Sequence, residues 1–271
     1  LFFEIQLKAI RGTASQRELD WMQGKVEDPL FIYELSKFGN FVHGTHVAGI
    51  SVREGEGIEQ MAIKLIPTSV LPFKAQAEEA AKANQSDELK LALLKALLGQ
   101  TASQQMDILE QIGTYVHDKG AAIANGSFGT GSKQGEAIVK LLFTGIFMRA
   151  PEDQELAKLT RYFMDQLLLE GKRFVEAAPG TLFVFAAGND NENSDKMPSS
   201  PAGIGADNVI SVAAVMDRGE LASFSNFGRT TVHVAAPGVG IDSAIPGDDR
   251  LPVSGTSQAA PYVANSAARV K

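Results

Sequence analysis

The sequence predicts an α/β fold built on a doubly wound, mostly parallel sheet. Apolar segments of strand length at 61–67, 121–125 and 182–187 alternate with helix-period segments at 104–119 and 136–177, the pattern of strand–helix–strand units. The chain has 271 residues, 44% of them hydrophobic, enough for one large core and consistent with a single domain. It contains no cysteine, which removes disulfide and thiolate chemistry. The formal net charge is −7 and no basic block stands out, so nucleic acid and anionic membrane surfaces are poor partners. The longest apolar run, 141–148, is far shorter than a membrane span.

The elements are expected as follows. Phe3, Ile5, Leu7 and Ala9 alternate with Glu4, Gln6 and Lys8, which predicts a strand, with a helix as the alternative. A helical pattern covers 14–26, after which Pro29 and Gly39 punctuate a loop leading to His43. Residues 45–52 read as a helix and 61–67 as a buried strand. Helices are expected at 75–83 and 86–98, the second carrying a stripe of Leu91, Leu93, Leu94, Leu97 and Leu98. Then come a helix at 104–119, a strand at 121–125, helices at 136–148 and 151–169, strands at 182–187, 209–215 and 231–235, and a final helix at 259–270.

Chemistry concentrates in three stretches. In Gly255-Thr256-Ser257-Gln258-Ala259-Ala260-Pro261 a serine sits between a tight turn and a helix. Its hydroxyl would lie beside unpaired N–H groups and the positive end of the helix dipole, a setting for a nucleophile, although serine is also a common plain N-cap. The second stretch is His43-Gly44-Thr45-His46-Val47-Ala48-Gly49 and the third Ala186-Ala187-Gly188-Asn189. With these three in order, and with Val209-Ile210-Ser211-Val212-Ala213-Ala214-Val215 and Ala222-Ser223-Phe224-Ser225-Asn226-Phe227-Gly228 between them, the chain resembles the subtilisin-like serine peptidases, or subtilases. The resemblance covers about 40–67 and 104–270, with insertions at about 68–104 and 131–169.

The resemblance implies a three-layer subtilisin-like sheet with helical insertions. It implies a serine endopeptidase with Ser257 as nucleophile, His43 as general base and Asn189 as a donor to the oxyanion. It also implies that Ser127, Phe128 and Gly129 pair with the substrate backbone as an added strand and wall the first specificity pocket, with Phe128 where the family has leucine. The expected partners are a polypeptide substrate and the chain's own propeptide, and the expected location is secreted or periplasmic. The family's aspartate, which follows an early strand and precedes Ser or Thr and Gly, has no match here; Asp20 and Asp28 are the nearby acids. One reading places that aspartate upstream, since the chain begins at Leu1 and stops at Lys271 inside a helical pattern, as a fragment of a longer precursor would. Another lets Asp20 or Asp28 substitute. A third makes the chain an inactive, peptide- or partner-binding relative.

Two stretches bear on metal or ion binding. His43 and His46 share a helix face, but the other histidines are His117 and His233 only, so zinc is not expected. The loop Asp190-Asn191-Glu192-Asn193-Ser194-Asp195 is rich in oxygen ligands, so calcium is a candidate there, but its spacing is not that of an EF-hand and such residues are ordinary turn material, the favoured reading. No cofactor is required by the implied reaction. Residues 126–133 look like a phosphate loop, but end Gly131-Ser132-Lys133 in the wrong order, and a nucleotide is rejected.

Overall fold

The computed structural model describes residues 1–53, 57–65 and 86–270. Helices α1 (Phe2–Ile10), α2 (Gln16–Val26) and α3 (Pro29–Ser51) precede α4 (Asp87–Asp118). Strand β1 (Ile123–Gly126) is followed by α5 (Ser132–Phe147) and α6 (Asp153–Glu176), then by β2 (Leu182–Ala186), β3 (Val209–Val215) and β4 (Val234–Pro237). A hairpin of β5 (Ile241–Ile245) and β6 (Asp249–Val253) leads into α7 (Thr256–Val270).

The four strands β1 to β4 pair in sequence order, all parallel. β2 sits inside the sheet and is buried on both faces. Its pleat sends Phe183 and Phe185 into one core with α4, α5 and α6, and Val184 into another with Val212, Ala214 and Ala236. Ala259, Ala260 and Ala264 of α7 close that second core, and Leu7 and Ile10 of α1 pack against it. Helices on both faces give the expected three layers and the α/β class.

Several expectations are corrected. Residues 2–10 are helical, not a strand. Leu7 and Ile10 lie three apart on one helix face against the second core, while Phe2 meets Phe31 and Phe3 meets Phe38 across α3. The alternation of Phe3, Ile5, Leu7 and Ala9 fits both periods, and the tertiary contacts select the helical one. The loop expected before His43 is a continuous α3, with Asp28 accepting from the N–H groups of Leu30 and Phe31 and Pro29 in the first turn, where its missing N–H is harmless. Residues 61–65 form no strand: none of the described strands pairs with them, and Met61 and Ile63 are exposed. Without a neighbour to take its backbone groups an apolar segment gains nothing from being extended. The helices expected at 86–98 and 104–119 are one helix, because Leu94, Leu98, Ala102, Met106 and Leu109 continue a single buried stripe through Gly99. The helix expected at 75–83 lies outside the described residues, as do Ile66 and Pro67 of the strand expected at 61–67. The antiparallel β5–β6 hairpin has no counterpart in the sequence reading.

α4 and α6 approach closely at Gly113, where a Cβ would collide with the carbonyl oxygen of Phe174 and lie 3.1 Å from Cβ of Ala177. Helix propensity alone makes Gly to Ala stabilising by about 0.8–1.0 kcal/mol. Overpacking against a backbone atom opposes this by about 1–3 kcal/mol. Gly113→Ala is therefore expected to lower the urea midpoint of unfolding, and a raised midpoint would show that the two helices are not in close contact there.

Candidate active site

The site is organised by the first turns of α7. Pro261 lies inside that helix and has no N–H to donate to the carbonyl four residues back, that of Ser257. Ser127, just past β1, takes the vacancy: its Oγ donates to the Ser257 carbonyl at 2.8 Å. In return Ser257 Oγ donates to the Ser127 carbonyl at 3.3 Å, and Asn125 Nδ2 donates to Ser127 Oγ at 3.0 Å. These bonds tie the end of β1 to the helix that carries Ser257.

The same helix start fixes Asn189. Thr256 donates to Asn189 Oδ1 from its N–H at 2.9 Å and from its Oγ1 at 3.0 Å. Both partners are donors, so the atom facing them is the amide oxygen and the amide nitrogen is turned away. Gly188 N–H in turn donates to Thr256 Oγ1 at 3.2 Å. Asn189 thus acts as the cap that α7 lacks of its own. The N–H of Ser257, in the first turn, has no intrahelical acceptor.

Beside Ser257 opens a cavity of about 320 Å³, lined by Phe128 and Gly129 after β1, by Asn189 and Asp190 after β2, and by Thr256 and Ser257. All lie beyond the C-terminal ends of the parallel strands, where open α/β sheets place ligands. Across Asn189 a second cavity of about 450 Å³ is walled by Gln6, Ile10 and Met22 together with Ser254.

The structure brings Ser257, Asn189, Ser127, Phe128 and Gly129 together. It does not join His43 to them: among the described residues no hydrogen bond links His43 to Ser257, and His43 does not line the cavity. His43 is half-buried on α3, three residues before His46. Burial, and to a lesser degree His46, hold its pKa below the ordinary histidine value, so its ring is neutral at neutral pH. His46 is buried, and its Nε2 faces the carbonyl oxygens of Ile241 at 3.1 Å and Leu251 at 2.8 Å. Two acceptors require Nε2 to carry the proton, and Nδ1 is left buried without a partner. A second proton there would be unsatisfied, and burial accordingly lowers the His46 pKa despite the two carbonyls. His46 is a structural bridge between α3 and the β5–β6 hairpin.

The acids near the histidine in sequence are engaged locally. Asp20 accepts from Gln16 Nε2 at 2.8 Å on the exposed face of α2, and Asp28 caps α3. In the 190–195 loop, Asp195 accepts from the N–H groups of Arg229, Thr230 and Thr231 and from both threonine hydroxyls. The Arg229 N–H first, then the Thr230 hydroxyl, hold this carboxyl far below the usual range. Among the described residues no three His, Cys, Asp or Glu side chains are grouped to hold a metal ion. Thr256, Lys133 and Ser200, all at the cavity, were not singled out as site residues by the sequence reading, and Asp190 entered it only through the candidate calcium loop. Thr256 lay inside the recognised serine motif, whereas Lys133 and Ser200 carry no local signal.

A family model described as the subtilase family matches residues 36–271. Subtilisin-like protease 2 of Plasmodium falciparum (isolate 3D7) is 36% identical over 104 residues, which are 38% of this chain and 8% of that protein. The thermophilic serine proteinase of Bacillus sp. (strain AK1) is 47% identical over 89 residues, 33% of this chain and 21% of the relative. The solved structure of prenylagaramide maturation protease PagA superposes with a TM-score of 0.39 at 27% identity, covering 60% of this chain and 48% of that one.

Two measurements follow from this geometry. Ser127→Ala removes the donor to the Ser257 carbonyl, and leaving such a group unpaired lowers stability by about 1–3 kcal/mol, readable as a lower denaturant midpoint. Both His43 and His46 have depressed pKa values in the folded chain, so just below a pH of about 6.5 the unfolded chain binds more protons. Stability is then full above that pH and falls as the pH drops through it. His46→Gln is expected to flatten this slope; a slope unchanged in the variant would remove His46 from the account.

Proposed function

This chain belongs to the subtilase family, and on that premise we propose that it is a serine endopeptidase. Ser257 is the nucleophile, His43 the general base and Asn189 the side-chain donor to the oxyanion. The observation that carries the reading is the capping of α7 by Asn189. With its oxygen taken by Thr256, the Asn189 amide nitrogen is left for an incoming oxyanion, and the Ser257 N–H is a second donor in the same turn. Fixed donors of this kind stabilise the charge of a tetrahedral intermediate without reorganising as it forms.

A polypeptide lies extended along Ser127, Phe128 and Gly129, adding a strand to the site. Ser257 Oγ attacks the scissile carbonyl while its proton passes to His43, whose burial keeps it neutral and ready to accept. His43 then gives that proton to the departing amine, and water repeats the sequence to release the acid and restore Ser257. No cofactor enters these steps. Calcium at the 190–195 loop would act on stability alone. The chain's own propeptide is an expected second occupant of the groove, and the protein is expected to act outside the cytoplasm.

A second reading rests on a specific observation. Asp20 and Asp28 are bonded within their own helices, and no described carboxylate is bonded to His43. A subtilase without the orienting acid binds peptides in the same groove and cleaves them poorly or not at all.

Intact-mass labelling with a fluorophosphonate separates the two. One adduct, lost in Ser257→Ala and in His43→Ala, supports the peptidase; Asn189→Ala is then expected to lower kcat by about 10²–10³, the size this loss has in a subtilisin. No adduct, with peptides still bound, leaves the inactive relative.

A further inference from the structure

We infer that the cavity beside Ser257 selects a cationic side chain on the acyl side of the cleaved bond, with Asp190 as the specificity-determining anion. The inference deepens the proposed peptidase reading and rests on its placing of the peptide at Ser257. Among the described residues lining the cavity, only Lys133 and Asp190 are charged. They pair at 3.2 Å, but unequally: the Asp190 side chain is 19% exposed and that of Lys133 is 73% exposed.

Asp190 is held in place. Its N–H donates to Asn226 Oδ1 at 2.9 Å, and its carboxylate packs against the backbone at Gly131, where a Cβ would collide with Oδ2. Lys133 is held weakly. An ion pair this exposed is worth about 0–1 kcal/mol. Lys133 also stands in the first turn of α5, the positive end of the dipole, where a cation is unfavourable. A substrate cation entering the cavity can therefore replace Lys133 at a fixed carboxylate while the lysine swings into solvent.

The wall behind Asp190 is closed and rigid. Ser200 is buried, and its Oγ has no hydrogen-bond partner. The bridge between Thr130 and Ser200, with N–H to O distances of 2.7 and 3.1 Å, closes the wall that carries it. A lysine or arginine head donates to Asp190, and its methylene stem lies against Phe128 and Ala186. An acidic side chain meets the Asp190 charge instead, and an apolar one makes no ion pair with it.

The test uses three peptides identical except for arginine, leucine or glutamate on the acyl side of the cleaved bond, with kcat/KM measured for each. The intact chain is expected to prefer arginine over leucine by about tenfold or more, the scale of one buried charge pair. Asp190→Asn should lower the arginine-to-leucine ratio by about tenfold, and Lys133→Ala should raise it by about two- to fivefold. Asp118→Asn, at the end of α4 just before β1 begins and so at the opposite end of that strand from the cavity, should leave the ratio as it was. A preference for leucine or glutamate, or a ratio untouched by Asp190→Asn, overturns the inference while leaving the peptidase reading intact. If nothing is cleaved, the affinities of the same peptides for Ser257→Ala decide it. Tighter arginine binding that Asp190→Asn abolishes supports the pocket and sinks the peptidase. Binding without that preference overturns both.

Discussion

Pro261 has no N–H for the carbonyl of Ser257, and the arrangement around the proposed nucleophile follows from that deficit. A helix carbonyl in the buried interior needs a donor from elsewhere, and Ser127 Oγ is the one within reach at 2.8 Å. Meeting that need pins the end of β1 against the first turn of α7. The substrate strand proposed at Ser127, Phe128 and Gly129 and the hydroxyl of Ser257 are therefore parts of one hydrogen-bonded unit. A change in either moves the other.

The opposite side of the same turn is fixed by an equal need. The N–H groups of the first helical turn have no partner inside the helix, and Asn189 supplies an oxygen to Thr256 from the end of β2. That capping bond also decides which end of the amide faces outward. Stability and proposed catalysis therefore draw on one side chain, and the donor for an oxyanion is oriented before any substrate arrives. The sheet makes this possible: β1, β2 and α7 meet where two adjacent parallel strands end, and Phe183, Val184 and Phe185, all fully or nearly fully buried, hold β2 in place from both faces.

The two histidines show how neighbours of the same type take different work. His46 spends its one proton between two carbonyls of the β5–β6 hairpin and leaves a buried, unprotonated Nδ1. His43, one turn earlier, is bonded to neither a carboxylate nor Ser257 among the described residues, and burial, with a smaller effect from His46, keeps it neutral. Among the described residues, no carboxylate is bonded to His43 as the orienting acid that a serine–histidine pair calls for.

The sequence by itself determined the family, through its ordered motifs, and the α/β class with the strands at β1, β2 and β3, because a short apolar segment that must be buried reads as such locally; Ser127, Asn189 and Ser257 were legible as candidates inside those motifs. β3 was legible to the residue because Val209 to Val215 is apolar at every position but Ser211, as suits a strand covered on both faces. Only the tertiary structure decided that residues 2–10 coil rather than extend, since their alternation fits two periods and the aromatic contacts with α3 select one. It also decided that Gly99 does not divide α4, that 61–65 finds no strand partner, and that Lys133 and Asp190 share a cavity with Ser257. Those outcomes depend on which distant backbone or side chain comes within a few ångströms, and no local pattern of residues carries that information.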